Sequence, residues 1–203
     1  MNIAIVLFDD AEELDFVGPW EVFTMAGNVM DFQKLPLEKP HVFTVSETGG
    51  TVRCAKGMRV IADHSFADAP RADLILVPGG QGTRREASNP VMLDYIAEAA
   101  KTATWVTSVC TGSLLLTVAG PAKGKAVTTH WGYIPQLRER GENAVVRDDM
   151  RFVRDGNVVT SAGVSAGIDM ALWLVGQIWS PDLARASQKG MEYEPAPPYQ
   201  AMV

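Results

Sequence analysis

The chain has 203 residues, enough for one domain with a substantial core, and 47% of them are hydrophobic, which excludes wholesale disorder. Its 18 Lys+Arg against 24 Asp+Glu leave a formal net charge of -6, so there is no basic footprint for nucleic acid. No apolar run reaches the roughly 18 residues of a membrane-spanning helix, the opening "MNIAIVLFDD" lacks the basic stretch of a signal peptide, and the two cysteines, Cys54 and Cys110, make no disulfide framework, so a reducing cytoplasm is the expected location with no membrane partner.

Residues 3–8, "IAIVLF", are a continuous apolar run suited to a strand buried on both faces of a parallel sheet. A helix is expected from about Ala11, with Asp10 and Glu13 spaced as a capping box. Pro19 falls inside that helix and removes the bond to the carbonyl of Asp15, so a kink is expected that leaves Asp15 at an irregular spot. Residues 41–48 read as a strand, and residues 51–66 as a short hairpin around Lys56-Gly57. Residues 74–77, "LILV", read as a buried strand that leaves through Pro78-Gly79-Gly80. Asn89 and Pro90 are the N-cap and first position of the next helix.

Residues 104–109 give a β-branched strand that ends at Cys110, and a helix follows through Ala119. Beyond Gly120 the signals shorten: a strand in "KAVTTHW", a helix in "YIPQLRER", and short strands in "NAVVRDD", "MRFVRDG" and "NVVTSAG". A nearly uncharged helix is expected over 165–179, another over 180–193, and a proline-rich tail in "EPAPPYQAMV". Strands alternating with helices, with no repeat or long linker, predict a single α/β domain over 1–203 with a mostly parallel sheet.

Cys110 at a strand-to-helix turn has two readings. It can be a small buried hydrophobe, a common fate of a free cysteine. It can also be a nucleophile, since that turn sits at the carboxyl edge of the sheet and a helix N-terminus favours the thiolate. On the second reading Cys110 is expected to be the more acidic of the two thiols. The N–H of Thr111 then points into the same space, where it can stabilise developing negative charge. Cys54, in a hairpin, reads as structural. The three histidines, His41, His64 and His130, show no metal-ligand spacing, so neither a metal nor another cofactor is expected. Trp173 and Trp179 read as core, whereas Trp20 and Trp131 stand nearer the motif positions and are candidates to line a pocket.

The phrases "VPGGQG", "SVCTGSLLLTVAG", "KAVTTHW" and "TSAGVSAGIDMAL" resemble, in order and spacing, the ThiJ/PfpI superfamily of the class I glutamine-amidotransferase-like fold. "ELDFVGPWEV", "VTSVCTGSL", "TTHW", "AGIDMAL" and "EYEPAPPY" are similar to its isocyanide hydratase branch. The resemblance implies a flavodoxin-like three-layer sandwich, usually a homodimer. It makes Cys110 the nucleophile and Asp15 the helix-borne carboxylate beside it. It places an oxyanion hole at the N–H of Thr111 and in the Gly79-Gly80 loop, and puts His130 near the pocket. Peptidase-like members carry Cys-His-Gly where this chain has Cys110-Thr111-Gly112, which weakens a protease reading.

Two functions from different classes follow. In the first, Cys110 attacks the terminal carbon of a small-molecule isocyanide, Asp15 supplies a proton, and water releases an N-substituted formamide from a thioimidate. The pocket is then expected to be largely apolar. In the second, the domain senses ligands or thiol oxidation, as related domains do in transcription regulators. Those regulators carry a helix-turn-helix domain after this region, so the end at Val203 is expected to weigh against one. A further alternative among enzymes is another cysteine hydrolase or a glyoxalase-type activity.

Overall fold

The computed structural model describes residues 1–140 and 144–194; the proline-rich tail from 195 onward and the first residue of "NAVVRDD" lie outside them. The strands are β1 (Asn2–Val6), β2 (His41–Ser46), β3 (Thr51–Arg53), β4 (Arg59–Ile61), β5 (His64–Ser65), β6 (Leu74–Val77), β7 (Trp105–Val109), β8 (Ala126–Val127), β9 (Val145–Val146), β10 (Phe152–Asp155) and β11 (Val158–Ser161). The helices are α1 (Glu13–Gln33), α2 (Thr83–Glu86), α3 (Pro90–Thr102), α4 (Gly112–Ala119), α5 (Ile134–Arg140), α6 (Ala166–Ile178) and α7 (Pro181–Gly190). Among the described residues no helix is long and apolar enough to cross a membrane.

A seven-stranded sheet in the order β10-β11-β7-β6-β1-β2-β5 forms the middle layer. Every pairing in it is parallel except that of β10 with β11. Alternation along each strand feeds two cores. Ile3, Ile5, Leu74 and Leu76 face the layer that holds α1, α6 and α7, with Phe23, Met170, Leu174 and Leu183 against them. Ala4, Val6, Ile75 and Val77 face the other way, toward Met92 and Ile96 of α3 and Leu114 and Leu115 of α4. Strands covered on both faces favour apolar residues at successive positions, as β1 and β6 show, although β7 and β11 also bury Thr107, Ser108, Thr160 and Ser161. The fold is therefore the mostly parallel three-layer α/β sandwich expected from the sequence.

The chain leaves β1 toward β2 on one side and later returns through β6 on the other. That reversal opens a crevice at the carboxyl ends of β1 and β6, the place where such sheets hold ligands. The 51–66 hairpin forms as expected, with β3 antiparallel to β4, while β5 joins the edge of the main sheet. Asn89 caps α3 by accepting from the N–H of Val91.

Three local expectations are corrected. The Asp10–Glu13 capping box does not form: Asp10 takes a left-handed conformation and pairs with Arg85, while Glu13 accepts from the N–H of Lys56. Helix α1 starts at Glu13 and runs through Pro19, so Asp15 sits in its regular first turn rather than at a break. The short α2 was not foreseen, since four residues are too few to show a periodic pattern.

Gly112 is needed for close approach rather than for a special dihedral. A Cβ there would lie 2.1 Å from the carbonyl oxygen of Val77 and 2.8 Å from that of Pro78. Both are backbone atoms and cannot step aside, so the start of α4 rests directly on the end of β6. Gly112→Ala is therefore expected to cost about 1–3 kcal/mol, the usual scale for forced overpacking. Urea unfolding should show this as a lower midpoint with an unchanged slope.

Candidate active site

Four loops at the carboxyl edge of adjacent parallel strands meet at one point. They bring Asp15 after β1, Gly79 and Gly80 after β6, Cys110 after β7, and Val164 after β11. Cys110 has a φ of 55°, an uncommon conformation for a residue with a side chain. Its backbone is tied on both sides. The N–H donates to the carbonyls of Ser161 and Ala162, each at 3.2 Å. The carbonyl accepts from the hydroxyls of Thr129 (2.9 Å) and Ser113 (3.2 Å). Strain of this kind persists where the surroundings over-determine it. Val164, a β-branched residue, also has a positive φ of 52°.

Asp15 is fully buried. Its Oδ2 accepts from the N–H of Gly79 at 2.9 Å, and its Oδ1 is buried without a well-formed hydrogen bond. Gly79 has no room for a side chain: a Cβ would lie 2.8 Å from Oδ2, 2.8 Å from the Cβ of Cys110 and 2.5 Å from the N of Thr111. The glycine thus lets carboxyl, thiol and helix start close around it. The first turn of α1 is fixed by the N–H of Glu12 on the carbonyl of Gly79 (2.9 Å) and by a bridge between Ala11 and Gly80.

Burial pushes the Asp15 carboxyl up to about 7, against the opposing pull of the Gly79 N–H, the Cys110 thiol and the Val164 backbone. Burial, then the charge of Asp15, push the Cys110 thiol up to about 12, against the N–H and hydroxyl of Thr111 and the backbone of Val164. Cys54 is raised to about 11 by burial and by Glu13 and Asp9. The helix N-terminus, expected to make Cys110 the more acidic thiol, is opposed there by desolvation and by the buried neighbouring carboxylate. The two groups titrate as a pair, losing a first proton near 7 and a second near 12. Between those limits the pair holds one proton, on the carboxyl or on the sulfur.

The expected oxyanion hole is also revised. The N–H of Gly79 is committed to Asp15, and that of Gly80 is donated to Thr111 Oγ1 at 3.0 Å. Both amides position the site. The N–H groups that act on the sulfur are those of Thr111 and Val164. Val164 lies inside a stretch noted for resemblance, but nothing in a valine's identity announces an amide turned toward a thiol.

Cys110 opens into a cleft of about 350 Å³ lined by Glu12, Ala55, Gly80, Gln81, Arg84, Thr111, His130, Trp131, Gly132, Tyr133 and Val164. His130 and Trp131 are thus placed at the cleft, Trp131 with 82% of its surface exposed. Trp20 is not. Five residues beyond Asp15 it is turned about 140° around α1, and it packs against the core under that helix. His130 accepts from the N–H of Gly132 through Nδ1 at 3.1 Å, so a neutral ring carries its proton on Nε2 and faces its surroundings as a donor. The lining is mixed: Glu12, Arg84, Thr111 and His130 share it with the aromatics. Arg84 and Tyr133 were missed because a lone arginine and tyrosine, far apart in sequence, show no spacing that announces a pocket.

The raised carboxyl sets a sign for stability. Native Asp15 holds a proton between its ordinary 3.8 and about 7, whereas the unfolded chain does not. Wild-type stability therefore carries a penalty that grows as pH rises through that window. Asp15→Asn should remove it, stabilising the protein by about 2–4 kcal/mol at pH 8, with the gain vanishing near pH 4. Denaturant melts of both proteins across that range check the expectation.

Residues 1–177 match the DJ-1/PfpI family. An isonitrile hydratase of Pseudomonas putida is 39% identical over 98% of this chain and 81% of its own. The crystal structure of a ThiJ/PfpI family protein from Pseudomonas syringae superposes with a TM-score of 0.86 at 32% identity, over 98% of this chain and 78% of that one. Drosophila melanogaster DJ-1beta shares the fold, with a TM-score of 0.79 at 24% identity over 95% and 98% of the two chains. By sequence match along most of its length and by fold, the chain belongs to the DJ-1/PfpI family.

Proposed function

We propose that the protein is an isocyanide hydratase, adding water to R–N≡C to give R–NH–CHO. The observation that carries this reading is the fully buried Asp15 carboxyl, held by the N–H of Gly79, beside a Cys110 fixed in a left-handed turn at the cleft. The 39% identity to a protein named isonitrile hydratase supports it. In the one-proton state with the carboxyl protonated, the Cys110 thiolate forms the C–S bond at the terminal isocyanide carbon. The Asp15 proton goes to that same carbon, giving the thioimidate Cys–S–CH=N–R. Water then adds to the C=N bond, placing hydroxyl on carbon and a proton on nitrogen. The C–S bond breaks, its electron pair returns to sulfur, and the hydroxyl proton passes to the Asp15 carboxylate as the formamide carbonyl forms, restoring the one-proton pair. The N–H groups of Thr111 and Val164 support the anionic sulfur at both ends of the cycle. A symmetric homodimer in the cytoplasm belongs to the same reading, and sedimentation should give about twice the 22.0 kDa of one chain.

Formamide production from a panel of isocyanides tests the proposal, and a wild-type protein that hydrates none of them overturns it. Cys110→Ser should lose nearly all turnover, since a hydroxyl is far less acidic and the Nδ1 of His130 is already engaged by the N–H of Gly132. Asp15→Asn should lose about a hundredfold or more in kcat with a smaller change in KM, the scale of lost general acid help. Wild-type kcat/KM should climb about tenfold per pH unit below 7 and level off above it, as the pair reaches its one-proton state. That rising limb should be missing from the residual activity of Asp15→Asn.

A further inference from the structure

We infer that the cleft selects isocyanides whose substituent ends in a carboxylate, and that Arg84 reads that carboxylate; this rests on the hydratase reading and names its substrate class. Arg84 lines the same cleft as Cys110. One edge of its guanidinium is fixed: Nη1 donates to the carbonyl of Gly80 (2.9 Å) and to the hydroxyls of Thr83 (3.1 Å) and Thr111 (3.4 Å). Its plane is held over the ring of Tyr133, 4.5 Å from the centroid. Nε and Nη2 make no hydrogen bond to any described residue, and Arg84 forms no ion pair among them. The chain has therefore spent three contacts and an aromatic face to orient a cation whose remaining fork is unused. An Nε–Nη2 edge is the geometry that receives a carboxylate through two parallel bonds.

The neighbouring charges favour the same class. Arg85, next in sequence, is already paired with Asp10 and Glu86. Glu12, the acid that lines the cleft, is paired with Lys56, so it does not compete for Arg84. One unpaired cation beside one neutralised acid suits a monoanion better than a phosphate. The contact of Arg84 with Thr111, the residue after the nucleophile, sets the scale: the spacer between isocyanide and carboxylate is short.

The test compares isocyanoacetate and 3-isocyanopropanoate with their methyl esters. Wild type should prefer the acids in kcat/KM by about tenfold to a hundredfold, the worth of a charge-assisted pair. In Arg84→Gln the acid-to-ester ratio should collapse toward one, and Arg84→Lys should retain part of it. The selectivity should appear mainly in KM. A wild type that turns over acid and ester equally, or an Arg84→Gln ratio that matches wild type, overturns the inference and leaves the hydratase reading intact. If neither acid nor ester is hydrated, the hydratase reading falls, and binding of N-formylglycine against its methyl ester, followed by Trp131 fluorescence, decides the anion site. Tighter binding of the acid that is lost in Arg84→Gln supports it, and equal binding overturns it.

Discussion

The carboxyl of Asp15 is withdrawn from water and given one firm hydrogen bond, from the N–H of Gly79. A charge in that position is costly, so the group holds its proton to about 7. Much of the surrounding structure serves this placement. Strand β1 delivers the start of α1, β6 delivers Gly79, and β7 delivers Cys110 from the next position in the sheet. Gly79 and Gly112 carry no side chains because the backbones on either side already occupy that space.

The sulfur is held as tightly as the carboxyl. Cys110 adopts a backbone conformation that an isolated residue avoids, yet its N–H and carbonyl are each bound twice. Val164 is strained beside it, and its amide acts on both members of the pair. Two strained residues on adjoining loops, facing one buried carboxyl, form an arrangement that stability alone does not favour.

Around this centre the cleft carries polar side chains beside its aromatic ones. Helix α2 and the turn at Trp131–Tyr133 bring Arg84 over the ring of Tyr133 at the mouth. The two segments are far apart in the chain and meet only because α2 follows β6 while the turn follows β8. The cleft wall is thus built from short helical turns between strands, while Asp15 and Cys110 stand at strand ends and helix starts.

The sequence by itself determined the layers. Short, β-branched apolar runs such as "IAIVLF" and "LILV" suit strands covered on both faces, and helical spacing between them suits crossovers. It also determined that Cys110 ends a strand and starts a helix, because a β-branched run changes character there. Asp15 and Cys110 were legible as partners through motif resemblance, and His130 and Trp131 as neighbours of the cleft. Tertiary structure decided the rest. How far the Cys110 thiol is pushed up depends in part on a carboxyl buried beside it from 95 positions away in the chain. Whether the Gly79 and Gly80 amides are open or committed depends on Asp15 and Thr111 arriving beside them. Trp20 was placed wrongly because rotation around α1, not distance along the chain, sets which way it faces. Arg84, Tyr133 and Val164 could not be read at all. Periodicity encodes which face of an element is buried, but the meeting of loop residues depends on the order of strands in the sheet, which no local pattern carries.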